Sequence, residues 1–139
     1  MNGKVFLDTN ILVYAYDSHY PQKQAMAGSI LKSGIEQDTA VLSVQVMGEF
    51  FVVVTGRIKS PLTPDQASEI IDILQTMMVV EIDMDIVKRA IDTHQRYRIS
   101  YWDSLIVAAA ETAGCETILS EDLNHGQTYN GVLVKDPFR

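Results

Sequence analysis

Apolar residues recur in two rhythms along the chain, short β-branched or aromatic runs and longer stretches at helical spacing, and the two alternate. Lys4 to Leu7 reads as a short strand, after which Thr9 or Asn10 offers an N-cap for a helix over Ile11 to Tyr16. Pro21 suits a first helical turn, and Ala25, Ile30 and Leu31 predict a helix to about Lys32, ahead of Gly34. Ala40 to Leu42 predicts a second strand. Ser43 can cap a helix running through Thr55 that is apolar almost all round, hence buried on most sides, with only Gln45, Gly48 and Glu49 breaking its surface.

Thr63-Pro64-Asp65-Gln66 combines a capping threonine, a proline at the first helical position and a glutamine three residues after the cap, a strong start signal. Its helix turns Ala67, Ile70, Ile71 and Leu74 inward, and Met78 to Ile82 follows as a strand. Asp83 caps a helix with Ile86, Val87, Ala90 and Ile91 as its stripe, ending near Tyr97. Ser100 opens another over Tyr101 to Gly114, whose Ala108-Ala109-Ala110 run lets its backbone approach a sheet closely. Thr117 to Ser120 is a short strand, residues 121 to 130 a polar loop, and Val132 to Val134 the last strand before Pro137. Strands separated by helices predict an α/β fold, three-layer α/β/α, around a mostly parallel sheet of four to five strands in a single domain over 1–139.

Composition narrows this further. A chain of 139 residues that is 47% hydrophobic is long enough for one core. Cys115 is the only cysteine, which excludes an internal disulfide and a cysteine-rich zinc site; its plainest role is that of a small packed residue. MNGKVFLD meets an aspartate before any secretory apolar stretch develops, and residues 40 to 54, interrupted by Gln45 and Glu49, fall short of the roughly 20 apolar residues of a membrane span. The expectation is a soluble, cytoplasmic protein. A formal charge of −7 argues against non-specific nucleic-acid binding by bulk electrostatics, while leaving room for a local basic patch, a metal cluster or a basic partner.

Most of the 18 acidic residues fall on polar faces or in loops, where solvation explains them. Asp8, Glu49, Asp103 and Asp122 do not. Asp8 and Asp122 follow strands, in VFLD and ILSED, and the carboxyl ends of parallel strands are where such sheets bind ligands. Glu49 lies on a helix entered directly from the second strand, and Asp103 in the first turn of a mostly apolar helix. Each has a local alternative. Asp8 could make an Asx-type turn, Asp103 could complete a capping box with Ser100, Glu49 could pair with Arg57 or Arg96, and Asp122 could cap Asn124 or His125. Taken together, converging carboxylates repel and raise one another's pKa unless a cation relieves them. An oxygen-only set selects Mg²⁺ or Mn²⁺ over Zn²⁺, and such a site suits phosphodiester hydrolysis.

Competing chemistry lacks its signatures. His19, His94 and His125 form no H-E-x-x-H pattern and read as surface residues, and neither a P-loop nor a G-x-S-x-G elbow occurs. A haloacid-dehalogenase-type phosphotransferase would need an acid at position 10, where Asn10 stands. A receiver domain would need an acidic pair near the first strand, and the consecutive helices at 64 to 76 and 84 to 97 do not match its regular alternation.

Four segments in order, FLDTNILVYAYD at 6 to 17, LSVQVMGEFFVVVT at 42 to 55, SYWDSLIVAAAETAGC at 100 to 115 and LSEDLNHGQTYNGVLVKDPF at 119 to 138, each bring one of these acids. In them the sequence resembles the PIN-domain ribonucleases, and within these the VapC-like toxins of bacterial and archaeal toxin–antitoxin pairs. The resemblance implies that Asp8, Glu49, Asp103 and Asp122 form an acidic quartet for Mg²⁺ or Mn²⁺, with Asp8 and Asp103 its closest ligands. It implies that Thr9, Asn10 and Ser120 hold those carboxylates in place. It further implies an endoribonuclease acting on structured RNA such as transfer or ribosomal RNA and leaving a 5′-phosphate and a 3′-hydroxyl, a homodimer, and a cognate antitoxin whose C-terminal segment occupies the groove by the acids. Two basic pairs, Arg57 with Lys59 and Arg96 with Arg98, are candidates for RNA phosphates; both also suit solvated helix ends. Two other readings remain open: a PIN-domain nuclease of RNA processing or decay, and a non-catalytic RNA-binding or scaffold protein, which has no reason to keep four converging acids.

Overall fold

A computed structural model describes residues 3 to 139; Met1 and Asn2, which open the expected 1–139 domain, lie outside the described residues. The order of elements is β1 (Val5–Leu7), α1 (Thr9–Ala15), α2 (Pro21–Glu36), β2 (Ala40–Ser43), α3 (Val44–Gly56), α4 (Pro64–Leu74), β3 (Met78–Val80), α5 (Met84–Tyr97), α6 (Tyr101–Thr112), β4 (Thr117–Leu119), β5 (Thr128–Tyr129) and β6 (Val132–Lys135). Among the described residues the sheet has six strands in the order β3-β2-β1-β4-β6-β5, parallel throughout except for β5 against β6. The α/β architecture is therefore as expected, with one strand more than the predicted four to five.

That strand is β5, in the segment read as polar loop. Tyr129, fully buried, pairs with Val132 across Asn130-Gly131, both at positive φ. An Asn-Gly pair between two apolar residues favours a tight two-residue hairpin, so the signal was present but short.

Local side-chain chemistry starts most helices where the sequence places them. Ser43, Asp83 and Ser100 each accept a hydrogen bond from a backbone N–H of the first turn, and Thr63 with Gln66 forms a reciprocal capping box. At α1 the cap is Asp8 itself, not Thr9 or Asn10. Helix α2 also departs from expectation, continuing past Gly34 to Glu36. Gly34 does not end the helix because its task is clearance: a Cβ there would stand 2.6 Å from the Cβ of Ala40 on β2.

Gly34→Ala is accordingly expected to destabilise the protein. Overpacking against a backbone-anchored methyl costs about 1–3 kcal/mol, of which better helix propensity offsets less than about 1 kcal/mol. Gly28→Ala in the same helix, where a Cβ meets nothing within 4 Å, should instead raise the urea midpoint. Equal shifts in the two variants would contradict the close α2–β2 approach.

All four residues of β2 are buried, as a strand covered on both faces requires. Helices α1 to α4 pack consecutively on one another through α1·α2, α1·α3 and α3·α4, while α5 packs on α6, which lies against β2, β4 and β6. The core joins Phe6, Leu7, Leu42, Phe50 and Ile118 with the small-residue run Ala108 to Ala110, all buried. Among the described residues no helix is long and apolar enough to cross a membrane.

Chain progression runs from β1 outward through β2 to β3, then returns to the other side of β1 with β4 and β6. The direction of winding reverses between β1 and β4, and the carboxyl ends of strands at such a reversal leave an open crevice.

Candidate active site

Asp8 ends β1 at that reversal, where Leu7 is in register with Leu119 and the Asp8 N–H donates to the Leu119 carbonyl at 3.0 Å. It is 5% exposed. One carboxylate oxygen accepts the Thr9 N–H at 2.7 Å and the other the Ser120 hydroxyl, also at 2.7 Å, with the Asn10 amide more distant at 3.5 Å. Ser120 Oγ in turn accepts the N–H groups of Asp122 and Leu123 at 3.1 and 3.2 Å. One buried hydroxyl thus ties the end of β4 to the acid at the end of β1.

Asn10 makes a second tie. Its Nδ2 donates to Asp122 Oδ2 at 3.2 Å and its Oδ1 accepts the Glu121 N–H at 3.2 Å. Asp122 is therefore held by Asn10, and no bond joins it to Asn124 or His125. Glu49, one turn into α3, accepts the Thr9 hydroxyl at 2.7 Å and pairs with neither Arg57 nor Arg96. The Asp103 N–H donates to Ser100 Oγ at 3.0 Å, the helix cap foreseen for this position, and its carboxyl also bonds Ser100 while lining the groove.

All four acids line one groove of about 990 Å³, together with Thr9 and Asn10. Their fields overlap. Burial pushes the Asp8 carboxyl up from 3.8 to about 6 against the hydrogen bonds from Ser120 and Thr9, and the negative charges of Asp122 and Asp103 add to the rise. Asp103 is also raised, first by burial and then, against its bond to Ser100, by Asp122 and Glu49. Among the described residues no three or more His, Cys, Asp or Glu side chains are grouped closely enough to hold a metal ion as they stand. The donor chemistry of the four acids nonetheless fits a hard divalent cation: oxygen-only groups, one of them desolvated, with Asp8 and Asp103 raised by acidic neighbours that a cation would neutralise.

The two basic pairs part company. Arg57 and Lys59 line the groove with the acids. Arg96 instead donates to Asn130 Oδ1 at 3.3 Å, in the β5–β6 hairpin, and Arg98 is the left-handed C-cap of α5; neither lines the groove. Their nearness to Asp103 in sequence is undone by the turn between α5 and α6.

A clamp that sequence reasoning missed lies beside Asp122. Glu121 accepts the Tyr14 hydroxyl at 2.7 Å and forms an ion pair with Lys23, whose ammonium sits 4.7 Å from the Tyr14 ring centroid. Burial would raise the Glu121 carboxyl, but the bonds from Lys23 and Tyr14 win and hold it below its usual value. Glu121 and Asp122 are adjacent and equally acidic, so spacing alone could not tell which one is neutralised. His19, read as a surface residue, lines the far end of the groove next to Tyr20.

A family model described as PIN domain matches residues 5–130. Among solved structures, a toxin–antitoxin complex from Klebsiella pneumoniae is 20% identical with a TM-score of 0.70, covering 96% of this chain and 98% of its own. VapC20 of Mycobacterium tuberculosis, described as a sarcin–ricin loop cleaving toxin, is 17% identical with a TM-score of 0.69 over 86% of this chain and 92% of its own. VapBC2 from Rickettsia felis, bound to a DNA fragment from its promoter, is 18% identical with a TM-score of 0.66, covering 94% and 96%. None of the curated proteins compared matches the chain.

Proposed function

The chain belongs to the PIN-domain family, and from that premise we propose that it is a metal-dependent endoribonuclease, acting as a single domain in the cytoplasm as the toxin of a VapBC-type toxin–antitoxin pair. The observation that carries the reading is the gathering of Asp8, Glu49, Asp103 and Asp122, from four separate segments, around one groove at the β1/β4 reversal. Four acids brought this close have no structural benefit that would outweigh their repulsion.

In this mechanism Asp8 and Asp103, with Glu49 and Asp122, would hold Mg²⁺ or Mn²⁺. When bound, such an ion would supply charge neutralisation at the phosphate and a water of lowered pKa. Ser120 and Asn10 fix Asp8 and Asp122, and Thr9 fixes Glu49, so that the carboxylates are held before any ligand arrives. Arg57 and Lys59 neutralise substrate phosphates at the groove wall. Cleavage of the P–O3′ bond would leave a 5′-phosphate and a 3′-hydroxyl. The sarcin–ricin loop activity ascribed to VapC20 supports a structured RNA, transfer or ribosomal, as substrate class. The toxin–antitoxin complexes among the structural neighbours support a cognate antitoxin as partner, for which this acidic chain suits a basic segment; a homodimeric toxin is part of the same proposal.

The test is incubation of total cellular RNA with the purified protein, freed of any co-purified partner, in Mg²⁺ or Mn²⁺ and in chelator. Discrete fragments that appear only with the metal and carry 5′-phosphates are expected. Cutting that persists in chelator would defeat the metal-dependent reading.

A further inference from the structure

Beside its acids the groove has apolar lining that the chemistry above does not use. Val44, Gly48 and Val52 recur every fourth residue along α3 and line the groove, Val44 and Val52 about half exposed. A Cβ at Gly48 would meet nothing within 4 Å, so the helix leaves open space there. Trp102, which also lines the groove, stands 62% exposed in the first turn of α6, immediately before Asp103. Its backbone is pinned by Gln45 Nε2, which donates to the Trp102 carbonyl at 3.2 Å, and its indole packs near-perpendicular to the Tyr101 ring at 5.2 Å. A large aromatic side chain thus stands in water beside Asp103, on a helix start whose backbone α3 also bonds.

Electrostatics makes that position meaningful. With a net charge of −7, and six acidic residues lining the groove against Arg57 and Lys59, phosphate attraction is a weak source of affinity for an RNA strand even with one divalent cation bound. Base stacking on an aromatic ring is independent of charge, and it is open to bases that are not already stacked in a duplex.

We propose that Trp102 and the Val44–Gly48–Val52 stripe form a subsite for one unpaired nucleobase of the RNA, stacked beside the phosphodiester that the acids cut. The subsite rests on the ribonuclease reading. An alternative occupant of the same wall is an apolar segment of a partner protein.

Trp102 is the only tryptophan in the chain, so its emission reports this subsite directly. The experiment titrates Asp8→Asn protein in Mg²⁺ with fluorescein-labelled oligouridylate, following anisotropy for binding and tryptophan emission for stacking. The same strand annealed to oligoadenylate is the duplex control. Quenching in step with binding is expected for the single strand alone. Trp102→Leu and Gly48→Leu, the second filling the open space while keeping the indole, should each weaken single-strand binding about tenfold, whereas Trp102→Phe should retain most of it. Binding with unchanged emission, and equal affinity in Trp102→Leu, would overturn the subsite and assign the wall to a protein partner. Absence of RNA binding in wild type with Mg²⁺ as well as in every variant, with circular dichroism showing them folded, would overturn the ribonuclease reading and the subsite with it.

Discussion

Asp103→Asn is expected to remove RNA cleavage while leaving the fold intact. The two effects separate because Asp103 meets its surroundings in two ways. Its backbone N–H donates to Ser100 Oγ at the start of α6, a bond that asparagine keeps. Its carboxyl is raised by burial and by the charges of Asp122 and Glu49, so replacing it with a neutral amide relieves repulsion and should leave thermal stability unchanged or slightly higher. Activity has no such compensation. Removing a residue that merely orients a metal ligand typically lowers affinity or activity about 10- to 100-fold, so losing a ligand should exceed about 100-fold. The measurement is the initial rate on a mapped RNA substrate in Mg²⁺, beside a melting curve for each protein. A variant that cuts at the wild-type rate would return Asp103 to the role of a helix-cap residue and take the proposed metal site with it.

The legible parts of this molecule are those whose cause is local. Ser43, Thr63, Asp83 and Ser100 start their helices through bonds to backbone only three residues away, so composition at fixed spacing was enough to place them. The convergence of the four acids was legible for another reason: strand ends in a parallel sheet must share one edge, whatever the loops between them do. Gly34 was misread because a glycine that ends a helix and one that lets a helix pass close to a strand look the same until Ala40 is seen opposite. The Lys23–Glu121–Tyr14 clamp spans 98 residues of sequence between its charges, and no pattern within either segment announces the pairing. Arg96 and Arg98 show the same limit in reverse, since nearness to Asp103 along the chain is not nearness to the groove.

Asp8 makes the metal-free protein less stable as pH rises, and a divalent cation should reverse this. Its carboxyl is raised from 3.8 to about 6 in the folded chain, chiefly by burial, so the folded state binds a proton more tightly than the unfolded state does. The stability due to that proton is fully present below 3.8 and is lost as the pH rises through about 6. The full loss amounts to about 3 kcal/mol, since each pKa step of one is worth about 1.36 kcal/mol. Asp8→Asn cannot titrate, and the useful comparison is of slopes: the substitution turns an amide toward a Ser120 hydroxyl that already accepts two N–H groups, so its absolute stability shifts for unrelated reasons. Urea unfolding in chelator should therefore show wild type losing stability relative to Asp8→Asn between about pH 4 and pH 6 and running parallel to it above about pH 7. Saturating Mg²⁺ then acts on the ionised carboxylate, and at about a hundred times its dissociation constant it stabilises by about 2.7 kcal/mol. The Mg²⁺-induced rise in melting temperature should accordingly grow as the pH passes about 6 in wild type and stay small and flat in Asp8→Asn. Equal Mg²⁺ stabilisation of both proteins would mean that the cation binds elsewhere, and that Asp8 is only the buried cap of α1.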